Sequence, residues 1–223
     1  MMPSIRLAAA LPALLLATAA HAGEDEQFWA TLNLGVAVSP EFKVTNELVA
    51  RNSNARGFYE LENTTLLNYK VSKQVTLAAG YVHNPTYSSG EFTAMEHRIR
   101  SQVTVDNFAK IGSVKLSGRL RMEQRWRDNV DGTGWRLRPY LKASTPLVGK
   151  TTLNVTHESF VNLNTTRFQR VSGYDRMRNA ISVSAPLNKQ FSIDFGYLNQ
   201  LGIVRGGADN MDHVATVGIG ANF

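Results

Sequence analysis

The chain contains no cysteine. That excludes a disulfide framework and a lipid-anchored cysteine behind an export signal. Beyond residue 22 there is no run of about 18 apolar residues, so no segment can cross a bilayer as a helix. Proline is sparse, 7 in 223 residues, which leaves long segments uninterrupted. Helical periodicity is missing from those segments. Metal-ligand spacing is missing as well: His83, His97, His157 and His213 are scattered, and neither a metal nor a cofactor is expected. The glycines at 218 and 220 fall within a strand rather than a phosphate loop, and Asp209 and Asp212 read as solvated loop acids. Low hydropathy without long apolar runs fits a soluble exported protein. It equally fits a transmembrane β-barrel, whose strands are only half apolar.

What is present begins with an export signal. Arg6 supplies a positive n-region, Leu7 to Ala19 an apolar run, and Ala20-His21-Ala22 a small-x-small cleavage site before Gly23. This pattern predicts a cleaved signal peptide over 1–22 and a mature domain over 23–223. Net charge is +6, one unit less once Arg6 is removed. An exported basic protein rarely meets nucleic acid, so acidic sugars or lipopolysaccharide phosphates are the expected anionic partners.

The stretch Lys115 to Arg127 shows how the mature chain is built. At period two, Leu116, Leu120, Met122 and Trp126 fall on one side. Lys115, Arg119, Arg121, Glu123, Arg125 and Arg127 fall on the other. A strand sends successive side chains to opposite faces, so this is a strand with one apolar and one strongly charged face.

The pattern recurs in eleven segments, at about 28–38, 42–51, 57–69, 74–83, 94–105, 114–127, 134–144, 151–161, 174–185, 190–200 and 213–223. Connections at Ser39-Pro40, Lys70 to Lys73, Thr145 to Lys150 and Pro186 to Lys189 are tight. Those at Asn84 to Thr93, Asp128 to Thr133, Asn162 to Gly173 and Gly202 to Asp212 are longer and polar. Aromatics on the apolar parity gather near the segment ends: Phe42, Tyr69, Phe191 and Phe223 beside short turns, Tyr59, Tyr81, Trp126, Trp135 and Tyr197 toward the longer loops. Two aromatic girdles around an aliphatic band free of Lys and Arg predict an all-β, transmembrane, antiparallel up-and-down barrel of ten to twelve strands in the bacterial outer membrane. Outer-membrane lipids and lipopolysaccharide are then its surroundings. The terminal Phe223 is expected to be read by the barrel-assembly machinery. Eleven segments sit awkwardly with the even strand number of bacterial barrels, which suggests a missed strand or two initial segments that do not both cross.

On the opposite parity lie Arg98, Arg100, Lys115, Arg119, Arg121, Arg125, Arg127, Arg136, Arg138, Lys142, Arg176 and Arg178. The acids sharing that parity are Glu96, Glu123 and Glu158, with Glu47, Glu60 and Glu62 on earlier segments beside Lys43 and Arg51. Such a lumen supports a narrow pore or binding site for small anionic solutes, because guanidinium forks suit carboxylates and phosphates. The alternative is a closed barrel filled by Arg–Glu networks, with no transport. A non-enzyme is expected. The catalytic alternative is an outward lipid esterase built on His157 and Ser159, oriented by Asp175 or Asn179.

The runs E-H-R-I-R (96–100), G-R-L-R-M-E-Q-R-W-R (118–127), G-W-R-L-R-P-Y (134–140), H-E-S-F-V-N (157–162), D-R-M-R-N (175–179) and F-G-Y-L-N-Q (195–200) resemble a bacterial family filed as domain of unknown function 2490. The resemblance covers nearly all of the mature chain. It implies an outer-membrane barrel and brings no activity, substrate or catalytic residues. The inward charge pattern is also similar, in architecture alone, to small porins for acidic oligosaccharides.

Overall fold

A computed structural model describes residues 23–223. The expected signal peptide, with Arg6 and His21, lies outside the described residues. Alternating polar and apolar positions give eleven strands: β1 (Gly23–Ala37), β2 (Phe42–Ser53), β3 (Gly57–Lys70), β4 (Val75–Ser88), β5 (Glu91–Ile111), β6 (Val114–Arg127), β7 (Val130–Pro146), β8 (Thr152–Asn162), β9 (Gly173–Pro186), β10 (Phe191–Gly202) and β11 (Asn210–Asn222). They form one closed barrel in chain order. All eleven expected segments are strands.

The odd number is accommodated at the seam. Every chain neighbour pairs antiparallel, but β1 and β11 pair in parallel, from Gly23↔Asn210 to Gly35↔Asn222. Neither expected remedy applies: no extra strand appears among the described residues, and β1 and β2 are both full members of the barrel wall. The seam is tied off where Ala37 N donates to Phe223 O at 2.9 Å and Phe223 N to Gly35 O at 2.8 Å.

Two of the four expected long loops are strand instead. β4 and β5 continue to a two-residue hairpin at Ser89-Gly90, both with positive φ (51° and 84°), the geometry that matches strand twist in tight hairpins. β6 and β7 likewise turn within Asp128-Asn129, with Asn129 at φ 59°. Only 163–172 and 203–209 remain as longer connections at that rim, here called the upper one.

Aliphatic side chains of the expected parity, among them Leu67, Leu77, Ile99, Leu120, Leu141, Val155, Ile181 and Ile219, are exposed around the outside. An unbroken apolar band of this kind is unlike the dispersed apolar residues of a soluble surface. Phe42 and Tyr69, 4.9 Å apart, and Phe191 and Phe223, 6.1 Å apart, ring its lower edge. Tyr59 departs from expectation. A register shift at Arg51/Asn52 turns it inward, 6% exposed, and leaves Phe58 on the outside. A bulge adds one residue to its strand and so reverses the facing of the residues beyond it.

Strands β3 and β4 approach closely at Gly80, where a Cβ would strike the Thr65 carbonyl and come within 2.8 Å of Leu66 Cα. Gly80→Val is expected to sharply lower the folded fraction, read as loss of the heat-modifiable band on a gel. Gly118→Ala, whose added carbon would meet Phe108 at an ordinary 3.5 Å, is expected to fold as the parent does.

Candidate functional site

Alternation along β2 to β9 delivers the charged parity to the barrel interior. The acids expected there, Glu60, Glu62, Glu96, Glu123 and Glu158, all take part in lumenal ion pairs. At mid-height Glu123 accepts from Arg100 (3.0 Å), from Arg136 through Nε and Nη2 (2.8 and 2.6 Å) and from Arg138 (2.9 Å). Arg100 and Glu123 are both 0% exposed. Arg100 continues to Glu62 at 3.1 Å and to the Thr64 hydroxyl at 3.1 Å. Glu62 also accepts from Arg98 at 2.7 Å.

Above this layer Glu96 receives Arg98 at 2.6 Å and a two-pronged contact from Arg125 at 2.9 and 3.0 Å. Below it Glu158 bridges Arg138 (2.8 Å) and Arg119 (2.5 Å); toward the upper rim Glu60 pairs with Arg51. The network is continuous from β2 to β8. Its central members, Arg100 and Glu123, are sealed from solvent.

Three of the expected lumenal arginines lack an acid within 4.0 Å among the described residues: Arg121, Arg176 and Arg178. Arg121 donates to Gln102 at 2.8 Å. Arg178 donates to Gln200 at 2.8 Å, and Gln200 in turn donates to Asp212. The Arg176 Nε is buried without a partner.

Aromatic faces take up part of this excess charge. Phe160, 2% exposed, has the guanidiniums of Arg138 and Arg178 at 4.3 and 4.8 Å. Trp29 has Arg51 and Arg178 at 4.3 and 4.7 Å. Neither aromatic stands out in the sequence as a functional residue, though both share the charged parity. Gln169 and Phe168 carry no sequence signal at all, because they belong to the irregular β8–β9 connection. That connection folds into the mouth, where Gln169 accepts from Arg125 at 2.9 Å.

Above this buried layer a cavity of about 660 Å³ opens at the upper rim, lined by Arg51, Arg98, Arg125, Arg136, Arg176, Arg178, Trp29 and Phe160. Asp25, Glu60 and Asp212 also reach it. With Glu24, Glu62 and Glu96 also in the lining, nine arginines face six acids, and Arg56, Arg176 and Arg178 have no acid within 4.0 Å among the described residues.

Outside the barrel, the catalytic alternative is partly assembled. His157 Nε2 and Ser159 Oγ are 2.9 Å apart. The residue beside His157 is Asn179, its Oδ1 2.7 Å from Nδ1, as the register His157↔Asn179 requires. Asp175 is not the orienting residue. A register shift at Phe160/Val161 leaves it without a cross-strand partner on β8.

The family model described as "Protein of unknown function (DUF2490)" matches residues 26–212. An uncharacterized protein of Methylorubrum extorquens is 28% identical over 216 residues, with 92% of each chain covered. Among solved structures, the chain is similar to the anion-selective porin from Comamonas acidovorans, at a TM-score of 0.38 and 13% identity, over 84% of this chain. The chain spans 56% of that porin's length.

The network makes opposite demands at two positions. Glu123→Gln removes the charge that three buried guanidiniums share and leaves Arg136 with no acid, and is expected to cost about 3–5 kcal/mol. Arg121→Met removes a buried cation that has no acid partner and is expected to be neutral or stabilising. Urea-unfolding midpoints of the two variants check both signs.

Proposed function

The chain belongs to the DUF2490 family of proteins of unknown function, and we propose that it is an outer-membrane barrel whose upper vestibule binds small anionic solutes without conducting them. The observation that carries this reading is the pairing pattern. Arginines at mid-height are neutralised by glutamates, whereas Arg176 and Arg178 line an open cavity with Gln200 as their side-chain hydrogen-bond partner and no acid.

A cavity of about 660 Å³ is of the size that takes a small organic ligand. Guanidinium forks hold planar carboxylates and phosphates through paired hydrogen bonds, so acidic sugars, carboxylates and phosphates form the expected solute class. Conduction would need a water-lined path through the Arg100–Glu123 layer. The complete burial of both residues supports binding over passage.

Placement in a membrane rests on the exposed aliphatic band and its aromatic edges. Leu141 is exposed on that band. Leu141→Arg is expected to cost roughly 2–4 kcal/mol in lipid and to lower folding yield into vesicles, seen as the heat-modifiable gel band. Equal yields in the two proteins would remove the membrane reading.

Trp29 offers a built-in reporter for the vestibule, since Arg178 stacks on it while Trp126 and Trp135 stand elsewhere. Titration with citrate and with inorganic phosphate is expected to change tryptophan emission saturably in the parent and not in Trp29→Phe. Arg176→Gln/Arg178→Gln is expected to weaken binding about tenfold or more, the equivalent of about 1.4 kcal/mol. A steady anion current through the parent in a planar bilayer would overturn the closed-layer reading.

A further inference from the structure

The outward face of β8 and β9 carries an arrangement that the lumen does not explain. His157 and Ser159 stand two residues apart on β8, on the side opposite Glu158. From β9 come Asn179, opposite His157, and Tyr174, whose hydroxyl is 3.0 Å from Ser159 Oγ. With Asn179 Oδ1 accepting from Nδ1–H at 2.7 Å, the imidazole keeps its Nε2 lone pair for the Ser159 hydroxyl at 2.9 Å. That is the tautomer a general base needs, and the amide holds the ring in place.

Two other outward histidines provide a comparison within the same molecule. His97 contacts the Tyr81 phenol through Nδ1 and Asp128 through Nε2 at 3.1 Å, and His213 lies 2.6 Å from the Tyr197 phenol. Each of these has a phenol on a neighbouring strand. Only at His157, among the described residues, does the imidazole hold an alkyl hydroxyl on one nitrogen and an orienting amide on the other.

We propose that Ser159, His157 and Asn179 form a hydrolytic site for long-chain acyl esters of membrane lipids. The inference rests on the membrane placement argued above and is independent of the vestibule. Ser159 lies three residues below the end of β8, and Tyr174, paired with Val161, and Trp135, whose carbonyl accepts from Leu163 N, are exposed just above it. Interfacial aromatics mark the headgroup level, where the ester linkages of lipids reside. Leu141, opposite His157, and the exposed Val155 and Ile181 two residues further down give acyl chains an apolar wall to lie along.

The chemistry balances without any co-reactant except water. Ser159 Oγ attacks the ester carbonyl carbon while its proton passes to His157 Nε2. The resulting oxyanion takes a hydrogen bond from the Tyr174 hydroxyl, the donor nearest to the nucleophile. Collapse breaks the ester C–O bond, and His157 returns the proton to the departing lipid alcohol. Water, deprotonated by His157, then attacks the acyl-serine. Fatty acid leaves and Ser159 recovers its proton.

The test uses the full-length mature barrel in vesicles of phosphatidylethanolamine and phosphatidylglycerol, with and without lipid A. Mass spectrometry follows released fatty acid, and a fluorophosphonate probe reports the reactive serine. The parent is expected to release fatty acid and to take up the probe. Ser159→Ala is expected to abolish labelling and lower release by about a thousandfold or more. His157→Asn should behave like Ser159→Ala, and Asn179→Ala should retain labelling at a reduced rate. His97→Asn is expected to leave release unchanged.

Accumulation of lysophospholipid, or of deacylated lipid A, identifies which acyl ester is used. A parent barrel that is folded in the vesicles by its heat-modifiable band yet releases no fatty acid overturns the proposal. So does release that persists in a folded Ser159→Ala barrel. Failure to insert into vesicles at all is a different result and falls on the membrane placement.

Discussion

One carboxylate, that of Glu123, accepts hydrogen bonds from three guanidinium groups with no exposure to solvent, and the interior is arranged around it. Charges withdrawn from water lose several kcal/mol of solvation each, and only close, well-directed partners return it. A lumen holding more arginines than glutamates cannot satisfy them in pairs. Glu62, Glu96, Glu123 and Glu158 each serve at least two arginines, and the same arginines join one acid to the next. The remaining cations fall to aromatic faces and carboxamides. Phe160 and Trp29 are the principal surfaces for that, with each stacked guanidinium contributing about 0.5–2 kcal/mol where water is excluded.

The seam determines where the surplus charge collects. β1 and β11 run the same way, a pairing slightly weaker per residue than the antiparallel kind. Inward positions below Trp29 along it include the small Thr31, Gly218 and Gly220, and neither strand carries an Arg or Lys. The Arg–Glu lattice therefore occupies the wall from β2 to β8. Arg176 and Arg178 on β9 stand at its edge, facing strands that offer Gln200 and Asp212. An open, positive vestibule above a closed layer results from this uneven distribution, with no separate loop needed to create it.

Strand identity and facing are legible in the sequence because a period of two is a local property that ten or more residues repeat. The lumenal arginines and glutamates can be found for the same reason. Parity misplaces Tyr59 because a single bulge residue reverses facing without altering composition. The stretch Asn84 to Thr93 reads as a loop on its polar content, although Ser89-Gly90 is a competent two-residue turn. Parallel closure is a relation between the two ends of the barrel, and nothing in the spacing along either strand announces it. Gln169 reaches the lumen from a connection with no period to read. Asp175 is a reasonable partner for His157 on parity, but the shift at Phe160/Val161 carries it away and leaves Asn179 opposite.

The two faces of β8 and β9 are mechanically one object. Glu158, fixed by Arg119 and Arg138, sits between His157 and Ser159 in the chain, so the lumenal ion pairs hold the backbone that presents both outward residues. Arg178, fixed by Gln200 and stacked on Phe160, precedes Asn179 and does the same on β9. A hydrolytic constellation tolerates misplacement of only about 0.5 Å, and a site on paired strands meets that tolerance better than one on loops. A barrel whose interior were water-filled would leave these strands free to breathe; one packed with guanidinium and carboxylate groups does not. The buried Arg–Glu network is thus the same feature that would keep the outward serine, histidine and amide in register.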